Sequence, residues 1–125
     1  VINVALGGTL YTDIAAQFPT NLRHDCYPDL PRDHIAHTVV VHPKSRLAET
    51  CGHGELEVNS LHHQGLERIG VGLTVTAKST DGLPEAVELA RHPFFIGIQW
   101  HPESLPDAPQ HQAIFSALIQ AAALK

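Results

Sequence analysis

Apolar positions along this chain follow both strand-like and helix-like spacings, which predicts an α/β domain. Five segments have the β-branched, alternating or unbroken apolar pattern of strands: residues 36–42, 55–59, 71–79, 86–89 and 94–99. In the third of these segments Leu73, Val75 and Ala77 fall on one face. Asp81-Gly82 then predicts the turn of a hairpin that joins this strand to the next.

Helical spacing is clearest near the C-terminal end. Residues 109–124 predict a helix whose one apolar face carries Ala113, Ile114, Ala117, Leu118, Ala121 and Ala122. Shorter elements are predicted elsewhere: a helix end at residues 1–6 stopped by Gly7-Gly8, a short strand at 9–11, a surface loop at 17–34, and a helical segment at 45–50 before Gly52.

These elements fit within one domain, residues 1–125, because a chain of this length rarely holds two. Its hydrophobic content of 43% is enough for a core. The order of strands and helices predicts a mixed sheet with one antiparallel hairpin and a closing C-terminal helix.

The charge balance excludes two kinds of partner. The net charge is −5 with neutral histidines, and the 8 Lys and Arg residues form no basic stripe, so no nucleic-acid partner is expected. The apolar runs are much shorter than a membrane span, and no segment resembles a signal peptide. Cys26 and Cys51 are isolated, which is typical of reduced thiols in a cytoplasmic protein.

His101 and Glu103, with Pro102 between them, follow the apolar run at 94–99. Open α/β sheets place their chemistry at the carboxyl ends of strands, so this segment is the strongest catalytic candidate. Residues two apart on an extended segment point to the same side. Glu103 can therefore accept one ring N–H of His101, which leaves the other nitrogen free to take a proton from a nucleophile.

A second polar cluster, Asn-Ser-Leu-His-His-Gln at residues 59–64, follows the strand at 55–59. Small and polar groups beyond a strand end suit the recognition of a zwitterionic ligand through backbone and hydroxyl contacts. The alternative is an ordinary solvated loop. The position of the cluster favours the binding role.

Other candidates are weaker. Among the 10 histidines, His34 and His37 have the spacing of neighbours on a helical turn, and His62-His63 are adjacent. No cysteine or carboxylate completes a recognisable zinc pattern with them, so neither a metal ligand nor a cofactor is predicted.

The cysteines and the glycine pair also lack a catalytic context. Cys26 lies in a Pro-rich loop and Cys51 at a helix end, and neither is on a strand-to-helix elbow, so neither is expected to be a nucleophile. Gly7-Gly8 follows a helix and does not open one, which argues against phosphate binding.

Four stretches resemble the C-terminal half of class I glutamine amidotransferase-like proteins. More narrowly, they are similar to the gamma-glutamyl-gamma-aminobutyrate hydrolase group, the bacterial enzymes of putrescine breakdown. The His-Pro-Glu segment is common to the wider superfamily, whereas Asn-Ser-Leu-His-His-Gln is typical of this hydrolase group. The stretches come in the family's order and cover nearly the whole chain: residues 2–10, 58–64, 81–82 with 85–88, and 97–103.

The resemblance implies a flavodoxin-like fold, of which this chain is the C-terminal portion of a mixed, mainly parallel sheet. It implies cleavage of a γ-glutamyl amide without a cofactor, with His101 as general base and acid and Glu103 as the group that orients it. It also implies that four residues lie beside the γ-glutamyl part of the substrate: Ser60, Leu61, His62 and His63.

In that family a cysteine on a strand-to-helix elbow is the nucleophile, and the elbow lies just before the segment matching Val1-Ile2-Asn3. The resemblance therefore implies a partner: an N-terminal segment of the same protein that carries the cysteine, the oxyanion hole and the first strands. Without such a segment, a sheet edge and an apolar helix face would stay uncovered. This chain alone is expected to be inactive.

Three alternatives remain open at this point. In the first, the chain resembles the glutaminase domain of an amidotransferase, which passes ammonia to a synthase. A non-catalytic remnant that binds a γ-glutamyl ligand is another, and a histidine-rich metal-binding module is the third. The oligomeric state is not readable from the sequence, so a homo-oligomer also stays open.

Overall fold

The computed structural model describes residues 1–124, and no helix within them is long and apolar enough to cross a membrane. A 3₁₀ turn, Pro102–Ser104, follows the last strand. The helices and strands are, in chain order, α1 (Ile2–Ala5), β1 (Leu10–Tyr11), α2 (Ile14–Gln17), β2 (His37–Val41), α3 (Arg46–Cys51), β3 (Gly54–Val58), β4 (Gly65–Leu66), β5 (Leu73–Ser79), β6 (Pro84–Leu89), β7 (Ile96–Ile98) and α4 (Pro109–Ala123).

The strands form a five-stranded sheet in the order β3-β2-β5-β6-β7 and a two-stranded ribbon of β1 and β4. Every ladder within residues 1–124 is antiparallel. The α/β class agrees with the prediction, but the mainly parallel sheet is not seen in this part of the chain. A short connection such as the turn at Asp81-Gly82 can only join antiparallel strands, whereas parallel neighbours need a long crossover.

The predicted hairpin is present as β5 and β6, with Gly82 at φ +92° in its turn. The regular alternation predicted for β5 is interrupted, because the register shifts between Val75 and Ala77. Thr76 is consequently buried beside Ala77, while Leu73 and Val75 are only half-buried. A bulge of this kind turns side chains away from the faces that strict alternation predicts.

Helix α1 is fixed to the rest of the chain by Asn3, a buried residue. The Asn3 amide donates to the backbone carbonyls of Thr9 (3.0 Å) and Arg68 (2.9 Å), and its oxygen accepts the N–H of Gly70 (2.7 Å). Gly7 follows the helix with φ +85°, as predicted for a glycine that ends a helix. Helix α2, which the sequence did not predict, ends at Gln17, where the predicted loop at residues 17–34 begins.

Two acceptors hold the first turn of α3 against the sheet. Ser45 Oγ accepts from the N–H of Ala48 (3.0 Å), and Glu88 Oε1 on β6 accepts from the N–H of Leu47 (2.8 Å). These bonds satisfy amides that have no partner inside the helix. Leu47 is thereby positioned in the core, where its side chain is fully buried.

The core lies between the concave face of the sheet and helices α3 and α4. Helix α4 packs through His111 and Ile114, but Leu118 and Ile119 are exposed, so the predicted apolar face is covered over only part of its length. The buried apolar residues of the main cluster are Val39, Val41, Leu47, Cys51, Leu56, Val58, Ala77, Ala86, Trp100 and Ile114.

His111 makes the core sensitive to acid. Its Nε2 donates to the carbonyl of Glu57 (3.0 Å), its Nδ1 is buried without a partner, and burial lowers the pKa of the ring. Below about pH 6.5 the unfolded chain binds more protons at this position than the folded chain does. We therefore expect the free energy of unfolding to fall on acidification, by up to about 1.4 kcal/mol per pH unit from this group.

Urea unfolding of the wild type and of His111→Gln between about pH 5 and pH 8 measures this contribution, because glutamine keeps a donor for Glu57 and does not titrate. The wild type should lose more stability than the variant as the pH falls. Equal slopes for the two proteins would show that the pKa of His111 is the same in the folded and unfolded states.

Candidate active site

The C-terminal ends of β3 and β7 meet, although these strands are the two edges of the five-stranded sheet. Asn59, directly after β3, donates to the carbonyl of His101 (2.9 Å) and accepts the backbone N–H of the same residue (2.9 Å). Four strand spacings would separate the edges of a flat sheet by about 19 Å, so the sheet is strongly curled. The curl brings the predicted catalytic segment against the predicted binding segment.

Asn59 is the residue that makes this contact specific. It is 1% exposed, and its amide also donates to the carbonyl of Arg32 (2.8 Å). Sequence reasoning placed Asn59 in the polar cluster but gave it no role of its own. The only signal in the sequence for such a contact is an asparagine directly after a strand with an alternating pattern.

The predicted pair of His101 and Glu103 is present as a hydrogen bond of 2.6 Å from Nδ1 to Oε1. A carboxylate only accepts, so Nδ1 carries the proton and Nε2 is left as the free acceptor. Burial alone would raise the pKa of Glu103, but the hydrogen bond from His101, a backbone hydrogen bond and the nearby positive charges together outweigh it, and the pKa lies below its ordinary value. Glu103 therefore stays ionised beside the ring.

The surroundings of the pair differ from the expectation in one respect. Strand β7, predicted as buried, is half-buried along its whole length because it is an edge strand with only β6 as a neighbour. Pro102, the first residue of the 3₁₀ turn, is buried, while the His101 side chain is 36% exposed. The ring is thus partly open to an incoming group.

The segment Ser60–His63 divides between interior and surface. Ser60 and His62 are buried, Leu61 is half-buried and pairs with Asp25 through an isolated bridge, and His63 is exposed. His62 and His63 also line a cavity of about 220 Å³ beneath the loop at residues 20–25. The four residues predicted to contact substrate therefore cannot all present their side chains to one ligand.

His62 points instead into a buried cluster that sequence reasoning missed. Glu85 Oε1 lies 3.4 Å from His24 Nδ1, 3.7 Å from His37 Nε2 and 3.6 Å from His62 Nε2. All four side chains are at least nine-tenths buried. The helical-turn spacing of His34 and His37 has no such meaning, because His37 begins β2 and His34 is exposed in the loop before it.

Asp81, in the hairpin turn, supports this cluster from the outside. Its carboxylate accepts hydrogen bonds from His24 Nε2 (2.8 Å), Thr20 Oγ1 (2.6 Å), the backbone N–H of Leu83 (3.1 Å) and Ser79 Oγ. Burial raises the pKa of Asp81, but these donors outweigh burial and hold the pKa well below its usual range. The turn predicted from Asp81-Gly82 therefore also anchors a buried histidine.

Neither cysteine has the surroundings of a nucleophile. Cys26 and Cys51 are both buried, and burial raises the pKa of each thiol. Cys51 Sγ donates to the carbonyl of Leu47 within α3 (3.1 Å). An activated cysteine needs an accessible, stabilised thiolate. Neither thiol has a hydrogen bond to His101 among the bonds of residues 1–124.

Comparisons with known proteins show the family of this chain. Residues 1–103 match the family model of Peptidase C26. This chain belongs to the Peptidase C26 family. Gamma-glutamyl-gamma-aminobutyrate hydrolase PuuD of Escherichia coli is 42% identical over 106 residues, which are 80% of this chain and 41% of that protein. A Schizosaccharomyces pombe protein assigned as a glutamine amidotransferase is 38% identical over 89% of this chain and 42% of its own length.

Solved structures show the fold of this Peptidase C26 member. A Thermoplasma acidophilum protein assigned as part of a GMP synthase has a TM-score of 0.70 at 16% identity, and 98% of this chain matches 52% of that one. A glutamine amidotransferase from Methylobacillus flagellatus has a TM-score of 0.55 at 21% identity, over 82% of this chain and 34% of that one. The class I glutamine amidotransferase-like fold predicted from the sequence is thus confirmed. The chain spans only 41–42% of the curated relatives named here.

Proposed function

We propose that this chain is the C-terminal part of a cysteine-dependent hydrolase that cleaves γ-glutamyl amide bonds. One observation carries the proposal: His101 is oriented by Glu103 and fixed by Asn59 at the place where two strand ends meet. A histidine with one nitrogen held by a carboxylate and the other free is the arrangement that activates a nucleophile. The family relationship and the similarity to PuuD support the substrate class.

In the proposed reaction, His101 Nε2 takes the proton of the cysteine thiol as its sulfur attacks the γ-carbonyl carbon. The tetrahedral intermediate collapses with loss of the amine, which takes that proton from His101. Water, deprotonated by His101, then attacks the thioester carbonyl; the C–S bond breaks, the product leaves with a free γ-carboxylate, and His101 returns the proton to the cysteine sulfur. Glu103 stabilises the positive charge that His101 carries in each half of the reaction.

The substrate side of the proposal rests on the segment after Asn59. Ser60 and Leu61 directly follow Asn59, which contacts His101, and the exposed His63 offers a side chain. His62 contributes differently, because its ring is turned toward Glu85 and its Nδ1 donates to the carbonyl of Gln64 (2.7 Å). We assign His62 the task of holding this segment in place from behind.

The cysteine is proposed to come from a segment of the same protein outside residues 1–125. An apolar groove of about 310 Å³ lies between α1, β7 and α4, beside the unpaired edge of the sheet. Covering this groove would bury exposed side chains of α4, including Leu118. The residues that line it are Ile2, Phe94, Phe95, Ile96, Ile98, Pro102, Ile114, Phe115 and Leu118.

The test uses the full-length protein that contains this chain and an electrophilic ketone analogue of glutamine. We expect one cysteine outside residues 1–125 to be alkylated, and Cys26 and Cys51 to stay unmodified until the protein is denatured, because both thiols are buried. Peptide mass spectrometry locates the label. Labelling of Cys26 or Cys51 in the folded protein would contradict the assignment of the nucleophile.

A glutaminase domain that passes ammonia to a synthase is the second candidate, favoured by the relative assigned as a glutamine amidotransferase. The two candidates differ in their preferred substrate. Faster release of amine from γ-glutamyl-4-aminobutyrate than of ammonia from glutamine supports the hydrolase, and the reverse order supports the amidotransferase. A full-length protein without any reactive cysteine would point to a non-catalytic ligand-binding remnant.

The free cysteines fit our proposal of a cytoplasmic location.

A further inference from the structure

Four buried side chains converge on one point below the candidate active site. Glu85 Oε1 lies 3.4–3.7 Å from one ring nitrogen each of His24, His37 and His62. None of these inward atoms has a hydrogen-bond partner within residues 1–124, and neither has Glu85 Oε2. Buried polar atoms are almost always partnered, so a group of this size without partners needs an explanation.

The outer ring nitrogens show which inner atoms are acceptors. His24 Nε2 donates to Asp81 (2.8 Å), and His62 Nδ1 donates to the carbonyl of Gln64 (2.7 Å). His37 Nδ1 faces the carbonyl of Thr38 at a longer 3.4 Å. Carboxylates and carbonyls can only accept, so each outer nitrogen carries a proton, and in the neutral form of each ring the inner nitrogen directs a lone pair inward.

Three lone pairs and a carboxylate oxygen that face one another repel, unless a positive charge lies between them. We propose that His24, His37 and Glu85 bind a divalent metal ion, zinc by the chemistry of the donors, with His62 completing the fourth position. The candidate ligand atoms of the first three residues all lie within 4.8 Å of one another. Imidazole nitrogen and carboxylate oxygen are both zinc ligands, and a closed set of four ligands without an open position is the mark of a structural site.

The distances favour a metal over direct hydrogen bonds. An N–H···O bond requires about 2.7–3.2 Å between heavy atoms, and all three separations exceed that range. Zinc bonds of about 2.0–2.1 Å place tetrahedral ligands about 3.3–3.4 Å apart. This is close to the 3.4–3.7 Å that separate Glu85 Oε1 from the three ring nitrogens. The bonds of His24 to Asp81 and of His62 to a carbonyl are also the outer contacts that orient metal-binding histidines.

Such an ion would join four separate parts of the chain. His24 lies in the long loop, His37 begins β2, His62 follows β3 and Glu85 is on β6. The proposed role is structural, because the ligands leave no open position for a substrate and lie in the interior. Sequence reasoning predicted no metal ligand because it weighed histidines close together in the chain and found no carboxylate near them.

The test measures metal in untagged full-length protein purified without chelator and dialysed. We expect about one zinc per chain by elemental analysis, and visible d–d bands of tetrahedral intensity when Co²⁺ replaces zinc. His37→Asn should lose the metal, whereas His34→Asn, three positions away and exposed, should keep it. Asp81→Asn, which weakens the outer contact of His24 along with the other hydrogen bonds to Asp81, should weaken the affinity about 10- to 100-fold.

The wild type decides the question even if His37→Asn does not fold. A metal-free wild type that neither binds added Zn²⁺ nor gains thermal stability from it would overturn the proposal. A retained metal that is insensitive to His37→Asn and Asp81→Asn would place the ion elsewhere and overturn it as well. The readouts are composition, spectrum and stability, so an error in the proposed hydrolase activity does not affect them.

Discussion

His101→Ala, made in the full-length protein that contains this chain, is expected to lower kcat/KM for a γ-glutamyl amide by about 10²–10⁴-fold. The loss arises because no other group takes the proton of the thiol or returns it to the leaving amine. Glu103 is a poor replacement for the ring, since a carboxylate is a much weaker base than an imidazole. Single-turnover assays should show loss of the acylation step itself.

The control for this variant is His53→Ala, which removes an exposed histidine just before β3, at the opposite end of that strand from Asn59. His53→Ala should retain wild-type activity. Circular dichroism of both variants tests whether the fold is retained. An active His101→Ala protein would rule out His101 as the general base and leave Glu103 without a catalytic task.

Asn59→Ala is expected to have the second largest effect, on stability and on turnover together. The change leaves the carbonyls of Arg32 and His101 and the N–H of His101 without their partner in a buried place. Each unsatisfied buried group costs about 1–3 kcal/mol, so we expect the free energy of unfolding to fall by about 2–4 kcal/mol after partial relaxation. A displacement of His101 by about 1 Å should lower kcat about 10²-fold.

The kinetic readout distinguishes positioning from simple destabilisation. At a temperature where Asn59→Ala is fully folded, kcat should fall while KM changes little, because Asn59 acts through His101. The matched control, Asn21→Ala, removes an exposed asparagine in the loop and should change neither quantity. A folded Asn59→Ala protein with normal kcat would show that His101 keeps its place without this contact.

Local patterns were sufficient to predict most elements of the fold. The β-branched run around Val39 gave strand β2, and the alternation after Gly52 gave β3, because each pattern reports burial of one face. Helix α2 and strand β4 were not predicted. They contain four and two residues, and such short elements are stabilised by contacts with distant residues, not by their own periodicity.

The parallel sheet was an expectation taken from the resemblance, and the strands within this chain pair antiparallel. Strand pairing depends on how long each connection is and where it runs, which periodicity does not report. The partial exposure of α4 has a related cause. An apolar face predicts that other residues pack against the helix. Leu118 is exposed, so residues 1–124 do not pack against this part of the face.

The candidate site was predictable where it is local in sequence and not where it is assembled by the fold. His101 and Glu103 are two residues apart, so an extended segment already places them together. The contact of Asn59 with His101 joins residues 42 apart, and Glu85 is 61 residues from His24 and 48 from His37. No pairwise spacing identifies such contacts, because they depend on the curl of the sheet.

The contact between Asn59 and His101 also has a kinetic and energetic consequence. The contact closes a loop of 42 residues that contains β5, β6 and β7. Because closing a long loop costs chain entropy, we expect the ladders within it to form first. We therefore expect His101 to reach its position late in folding. By thermodynamic linkage, a ligand that bridges the two strand ends stabilises the entire sheet against unfolding, and not merely the loop that it touches.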